Sequence, residues 1–130
     1  MAENLSGEIK FYQKRNGVLV EAHVSGLPEN NPAGFFAMHI HEGGSCTGEN
    51  FSDSGSHLNL EQMPHPEHTG DLPPLLSCNG EAYMSVLTNR FNISDIIGRT
   101  VIIHSGPDDF NTQPAGNSGT RIACGRIRRV

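Results

Sequence analysis

The chain has 130 residues and a formal net charge of −5 at pH 7, which is enough length for one domain with a substantial core. The acidic balance argues against general nucleic-acid binding, because such proteins need clustered cations, and no apolar run approaches the roughly 20 residues of a membrane-spanning helix. Fifteen glycines, eight prolines and no tryptophan favour a turn-rich β protein over a helical bundle. We therefore expect a single domain over 1–130 that binds neither nucleic acid nor membrane.

Strand-like runs recur along the chain and predict an all-β domain. The first two runs, 5–14 and 18–25, flank Asn16-Gly17, the strongest short hairpin signal because both central turn residues adopt positive φ. A short helical turn is predicted over 93–97. The remaining predicted strands are 34–41, 81–88, 99–104 and 120–127.

Two long segments, 42–80 and 105–119, have no periodic pattern. Structureless loops longer than about 15 residues are uncommon in a single domain and are usually functional. The first segment contains three clustered histidines and Asp71, and ligation of a metal can order a loop that has no core of its own. The first six residues do not resemble a signal peptide, so we expect a cytoplasmic protein, or a periplasmic or extracellular one if the sequence has been trimmed.

Six of the seven histidines lie in three tight groups: His39 and His41; His57, His65 and His68; and His104. Alternate side chains of a strand leave the same face, so His39 and His41 can chelate one ion, and His104, at the end of another strand, can add a third nitrogen. The loop histidines with Asp71 form a closed tetrahedral set typical of structural zinc. Imidazole suits zinc, copper, iron and nickel. His23 stands alone, and we expect it to be an ordinary surface or hydrogen-bonded residue.

Five motifs of this chain resemble those of the copper/zinc superoxide dismutases. The match covers nearly the whole chain in order, and the closing Gly-Asn-x-Gly-x-Arg-Ile-Ala-Cys-Gly run is highly specific. The motifs are Met38–Glu42, His57–Asn59, His68–Leu72, Val101–His104 with Pro107–Asp109, and Gly116–Gly125. The resemblance implies an all-β fold, a Greek-key β-sandwich or flattened eight-stranded barrel with two long functional loops.

The resemblance also implies two metal cofactors, copper and zinc. Copper would be bound by His39, His41, His57 and His104. Zinc would be bound by His57, His65, His68 and Asp71. His57 would be shared between the two metals as a bridge.

Further residues match other positions of the family pattern. Asp108 would accept hydrogen bonds from His39 and His65 and fix the orientation of both rings. Arg121 would be the active-site arginine. The family disulfide would join Cys46 to Cys124, which leaves Cys78 free.

The implied activity is disproportionation of superoxide to dioxygen and hydrogen peroxide by copper redox cycling. This chemistry needs a one-electron redox centre, which copper supplies and zinc does not. His57 would act as a general acid that passes a proton to the peroxide product. Arg121 would attract the superoxide anion to a protein of net negative charge.

Two other functions stay open at this point. A non-catalytic protein of the same fold would hold zinc, with or without copper, as a store or donor, although the presence of all four copper histidines counts against it. A plain β-sandwich interaction module would bind no metal and would lose no stability to a chelator. A homodimer and a monomer are both compatible with the sequence.

The sequence departs from the family pattern in its loops. Only Pro66-Glu67 separates His65 from His68, where familiar members have a longer insert. The segment 110–115 is short and lacks the acidic and lysine cluster that guides superoxide in eukaryotic members. We therefore expect a short-loop bacterial type of site, with a wider copper mouth and weaker long-range steering.

Overall fold

Eight strands form most of the regular structure in the computed structural model, which describes residues 4–130. In chain order they are β1 (Ser6–Lys14), β2 (Gly17–Ser25), β3 (Phe35–Phe36), β4 (Met38–His41), β5 (Leu75–Leu76), β6 (Ala82–Thr88), β7 (Thr100–His104) and β8 (Arg121–Arg126). The other two elements are a 3₁₀ helix, Glu49–Ser54, and the short helix α1, Ile93–Ile96. The predicted all-β class and the helical turn predicted over 93–97 are therefore confirmed, whereas the 3₁₀ helix was not predicted.

The first sheet is antiparallel, with the strand order β1–β2–β6. The hairpin prediction is confirmed, but the turn is one residue earlier than expected, because Lys14 pairs with Gly17 and leaves Arg15 and Asn16 as the central residues. Gly17 is instead the first residue of β2. A Cβ there would lie 2.6 Å from the Thr88 carbonyl oxygen, so the close approach of β6 requires glycine at this position.

The second sheet has the order β4–β7–β8 and carries part of the histidine cluster. Met38 of β4 pairs with Ile103 of β7. The β7–β8 register shifts between Ile103 and His104, so that His104 pairs with Arg121. This irregularity brings the last residue of β7 beside the first residue of β8, at the end of the sheet where the site lies.

The single strand predicted over 34–41 is wrong, because the chain passes from one strand pair to another at Ala37. β3 pairs with β5, whereas β4 pairs with β7. Ala37 itself donates to the Gly106 carbonyl at 2.9 Å and accepts from the His104 amide at 2.9 Å. The predicted absence of structure over 42–80 is also wrong, since β5 and the 3₁₀ helix lie there.

One apolar core lies between the two sheets. Its buried side chains come from β2 to β7, from the long segment between β4 and β5, and from α1. The largest fully buried ones include Phe36, Met38, Ile40, Leu58, Leu75 and Ile96. Within residues 4–130, every helix is too short to cross a lipid bilayer. The core fixes the inward face of each strand, and the opposite face of β4 is left for the histidines.

Candidate metal centre

The two histidines of β4 point away from the core. His39 and His41 leave the same face of the strand, as the i, i+2 spacing predicts, and their ring centroids are 6.4 Å apart. Ile40 between them points into the core and is fully buried. Alternation along one strand therefore both anchors β4 and presents two imidazoles side by side.

The long segment after β4 folds back along the free edge of that strand. Ile40 donates its amide hydrogen to the Gly70 carbonyl at 2.8 Å, and its own carbonyl accepts from the Leu58 amide at 2.8 Å. Gly70 also donates to Leu58 at 2.9 Å. These backbone bonds place the neighbouring residues, His57 and Asp71, beside β4, so the loop needs no periodic pattern to be ordered.

The first cluster consists of four buried histidines. One ring nitrogen from each lies within 4.8 Å of the other three, and the residues are His39, His41, His57 and His104. In two of these rings the remaining nitrogen has a partner: His41 Nδ1 donates to the Gly55 carbonyl at 2.8 Å, and His104 Nδ1 to the Gly119 carbonyl at 3.4 Å. Each of these bonds leaves Nε2 as the free acceptor of that ring.

The second cluster surrounds the Asp71 carboxylate. His57 Nδ1 lies 2.9 Å from Asp71 Oδ1, and His65 Nδ1 lies 3.0 Å from Asp71 Oδ2. His68 Nδ1 lies 3.3 Å from Asp71 Oδ2 and 3.2 Å from His57 Nδ1. Three Nδ1 atoms and one carboxylate thus converge on a single point.

His39 also falls within 4.8 Å of His57, His65 and Asp71, so distance alone offers a second grouping that omits His68. The hydrogen bonds decide between the two groupings. His39 Nε2 donates to Asp108 Oδ2 at 2.9 Å, which leaves only Nδ1 for a metal, and that atom belongs with the first cluster. His68 has no such competing bond among residues 4–130, and its Nδ1 contacts both Asp71 and His57.

Asp108 connects the two clusters. One of its oxygens accepts from His39 Nε2 at 2.9 Å, and the other accepts from His65 Nε2 at 2.7 Å and from the Phe110 amide at 2.8 Å. Burial alone would raise the pKa of Asp108, but the hydrogen bonds from His39, His65 and Phe110 outweigh it and hold that pKa far below its usual value. The carboxylate therefore stays ionised and orients one ring in each cluster.

Burial favours the neutral form of three rings of the first cluster, those of His41, His57 and His104. It lowers the pKa of His41 from 6.5 to about 2, although the hydrogen bond to Gly55 opposes the shift. Burial likewise lowers the pKa of His104 to about 3, and it lowers the pKa of His57. Neutral imidazole is the form that binds metals, so these nitrogens do not have to lose a proton first at neutral pH.

Asp71 also remains ionised. Burial raises the pKa of its carboxyl, but the hydrogen bond with His57 and the nearby rings of His57, His65 and His39 lower it by more. The second cluster thus combines three imidazole nitrogens with one negative oxygen donor. That is the donor set of a structural zinc site.

Five buried ring nitrogens have no hydrogen-bond partner within residues 4–130: His39 Nδ1, His41 Nε2, His57 Nε2, His65 Nδ1 and His104 Nε2. Leaving a buried polar atom unpaired costs about 1–3 kcal/mol, and folded proteins avoid it. Four of the five are the nitrogens that converge in the first cluster, and the fifth is His65 Nδ1, which faces Asp71. The donor set therefore fits one metal ion in each cluster.

Arg121 lies beside the first cluster, next to its strand partner His104. Its guanidinium donates to the Gly55 carbonyl at 2.8 Å, the same carbonyl that accepts from His41. The predicted disulfide is confirmed, because Cys46 and Cys124 are bonded and Cys78 is free and exposed. The disulfide ties the segment after β4 to β8, close to Arg121 in the chain.

Several residues around the site carry no signal in the sequence. Phe51 and Gly55 contribute only backbone carbonyls, which any residue would supply. The Gln113 side chain forms two hydrogen bonds with the backbone of His65: it accepts from the amide at 2.9 Å and donates to the carbonyl at 2.8 Å. Arg90 donates to the Pro66 carbonyl at 2.8 Å. The side chains of Gln113 and Arg90 therefore anchor the backbone of the loop between His65 and His68.

The chain also matches known proteins in sequence and in fold. Residues 5–127 match the family model for copper/zinc superoxide dismutase (SODC). Superoxide dismutase [Cu-Zn] 2 of Aquifex aeolicus is 35% identical over 137 residues, covering 94% of this chain and 78% of that protein.

Two solved structures show the same fold. A SOD-like protein from Bacillus subtilis has a TM-score of 0.80 and 31% identity, covering 93% of this chain and 89% of that one. Cu/Zn superoxide dismutase from Brucella abortus has a TM-score of 0.80 and 25% identity, covering 94% and 88%. These two structural matches confirm the predicted Greek-key β-sandwich or flattened barrel. Motifs, fold and sequence identity agree, and this chain belongs to the copper/zinc superoxide dismutase family.

Proposed function

We propose that this protein is a superoxide dismutase that converts two superoxide anions and two protons into dioxygen and hydrogen peroxide. The observation that carries the proposal is the position of the His57 ring. Its Nε2 converges with three other histidine nitrogens, while its Nδ1 lies 2.9 Å from Asp71. One imidazole thus faces a nitrogen-only site and a mixed nitrogen and oxygen site at the same time.

The donors divide between two metals. We assign copper to the nitrogen-only set of His39, His41, His57 and His104, and zinc to the set of His57, His65, His68 and Asp71. Copper, when bound, supplies the one-electron redox couple that superoxide disproportionation needs, and zinc supplies a fixed positive charge. Asp108 supports both sets because it hydrogen-bonds one ring of each.

Two protons enter each turnover, and His57 is placed to deliver one of them. Its Nε2 lies in the copper set, so it can hold a proton when superoxide is oxidised to dioxygen and release it when a second superoxide is reduced to peroxide. Its Nδ1 would be held in the zinc set beside Asp71, which would keep the ring in place. The second proton comes from water.

Arg121 brings a localised positive charge to a protein whose net charge is −5. The surface depression in front of it has a volume of about 480 Å³ and is lined also by Glu49, Ser56, Gly119 and Thr120. Among residues 4–130, Arg121 is the only cation of that lining. We therefore expect attraction of superoxide to depend on this one guanidinium more than on a field of several charges.

The proposal is tested by counting copper and zinc per chain and by measuring superoxide disproportionation. His104→Ala should abolish turnover while zinc stays bound, because His104 contacts only the first cluster. Asp71→Ala should weaken zinc binding more than copper binding. His23→Ala is the matched control, because His23 is exposed on β2 and lies outside both clusters.

Each alternative gives a different result. A fully metal-loaded protein without activity would indicate a metal store or donor, and failure to bind either metal would indicate an interaction module. Equal loss of both metals in His104→Ala and in Asp71→Ala would contradict the division into two sites.

A further inference from the structure

Ser54 is a fully buried serine whose hydroxyl lies against Arg121. The hydroxyl accepts a hydrogen bond from Arg121 Nη1 at 2.8 Å and donates one to the Phe51 carbonyl at 2.7 Å. The Phe51 carbonyl also accepts from Arg121 Nη1, at 2.9 Å. Serine, carbonyl and guanidinium therefore form a closed triangle in which each member contacts the other two.

The backbone of the 3₁₀ helix supports this triangle. Asn50 and Phe51 both adopt left-handed conformations, with φ of 53° and 57°, and for a residue such as Phe51 this conformation is unfavourable because of its Cβ. A strained conformation of this kind persists only where the surroundings hold it. Here the Phe51 carbonyl accepts hydrogen bonds from Ser54 and Arg121, and these two bonds stabilise the strained turn.

The guanidinium of Arg121 has five N–H groups in a fixed plane. The Phe51 carbonyl and the Ser54 hydroxyl both accept from Nη1, and the Gly55 carbonyl accepts from Nη2 at 2.8 Å. The Nε–H group and one Nη2 hydrogen have no acceptor within residues 4–130. These are the donors that remain for an incoming anion.

We propose that Ser54 is a positioning residue that fixes the Arg121 guanidinium for superoxide. The inference rests on the proposed function and adds a residue to it. With Ser54 in place, the plane of the guanidinium is set by three acceptors on two of its nitrogens. Without the hydroxyl, the guanidinium keeps only the Phe51 carbonyl at Nη1 and the Gly55 carbonyl at Nη2, so its plane can rotate about the line that joins these two contacts.

A double-mutant cycle tests the proposal. We expect Ser54→Ala to lower kcat/KM for superoxide about fivefold, the size of one hydrogen bond of ordinary strength, and to weaken by a similar factor the binding of azide, a small anion, to the copper-loaded protein. Arg121→Ala should lower both more strongly. Adding Ser54→Ala to Arg121→Ala should have no further effect, because the serine acts only through the arginine.

Ser118→Ala is the matched control. Ser118 is also buried and also donates to the carbonyl three residues earlier, that of Ala115, at 2.7 Å, but its hydroxyl does not contact Arg121. The control should keep the parent's azide affinity. Metal content and thermal midpoint are measured for every variant. Ser54→Cys, which replaces the hydroxyl with a weakly hydrogen-bonding thiol, repeats the test if Ser54→Ala does not take up metal.

The outcomes separate the two proposals. An inactive parent protein with full metal content would refute the proposed function, whatever Ser54 does. An active parent with unchanged azide binding in Ser54→Ala would overturn the positioning role alone. A Ser54→Ala effect that persists in the Arg121→Ala background would also overturn the positioning role. Loss of metal in both Ser54 variants would do the same, because either result would give the serine a structural role.

Discussion

Acid should destabilise the metal-free protein well before its carboxylates titrate. Burial lowers the pKa of His41 from 6.5 to about 2 and that of His104 to about 3. The unfolded chain binds protons at these rings below pH 6.5, whereas the folded chain does not. The stability contributed by keeping the rings neutral is therefore fully present above about pH 7 and falls as the pH decreases towards 3.

The magnitude follows from the same shifts. At pH 5, a ring that stays neutral in the folded chain but is protonated in the unfolded chain lowers the free energy of unfolding by about 2 kcal/mol. This value follows because each pH unit below the ordinary pKa lowers that free energy by about 1.4 kcal/mol. His41 and His104 together cost about 4 kcal/mol, a large part of the roughly 5–15 kcal/mol that stabilises an ordinary domain. His57 adds to the effect in the same direction. Asp71 and Asp108, whose ordinary pKa is 3.8, contribute little between pH 7 and pH 5.

Urea unfolding of the chelator-treated protein at pH 7 and at pH 5 measures this difference. His41→Gln should reduce the pH dependence by about half, because one of the two main rings no longer titrates. His23→Gln, on the exposed face of β2, should leave it unchanged. An equal free energy of unfolding at the two pH values in the parent protein would show that burial of these rings does not control its acid stability.

Three further changes probe the surroundings of the site. Gly116→Ala should lower the thermal midpoint and the zinc content together, because a Cβ there would overlap the Asp108 carboxylate and lie 2.7 Å from His65 Nε2; normal zinc content would contradict this. Gln113→Ala should speed zinc loss to a chelator while copper is retained, because it frees the backbone of His65; equal loss of both metals would count against it. Cys124→Ser should cost about 4 kcal/mol of unfolding free energy, since the disulfide spans 78 residues and long loops lose the most entropy when closed, and denaturation with and without reductant checks this value.

The strands and the ligand types could be predicted because they depend on local patterns. Alternation along β2 and the i, i+2 spacing of His39 and His41 are both properties of an extended chain. The break at Ala37 could not be predicted, because it depends on hydrogen bonds to Gly106 and His104, residues about 70 positions away. The position of the first turn was missed for a similar reason, since the need for Gly17 arises from the neighbouring β6.

The residues that support the site were harder to predict than the clustering of its histidines. Ser54 and Gln113 belong to common residue types in an aperiodic segment, and their importance depends on partners at 67 and 48 residues' separation. Backbone acceptors such as the Gly55 carbonyl leave no trace in the sequence. The cytoplasmic location and the choice between monomer and homodimer stay predictions.

The backbone hydrogen bonds between Ile40 and the segment that carries His57 and Asp71 form the site, and they also protect the edge of β4. That segment covers the outer edge of β4, and an uncovered strand edge is a template on which another polypeptide can add as a further strand. Loss of the ions that pin the segment would therefore do more than stop turnover. It would expose the backbone edge of β4 to intermolecular pairing, so that loss of metal and aggregation would have one cause.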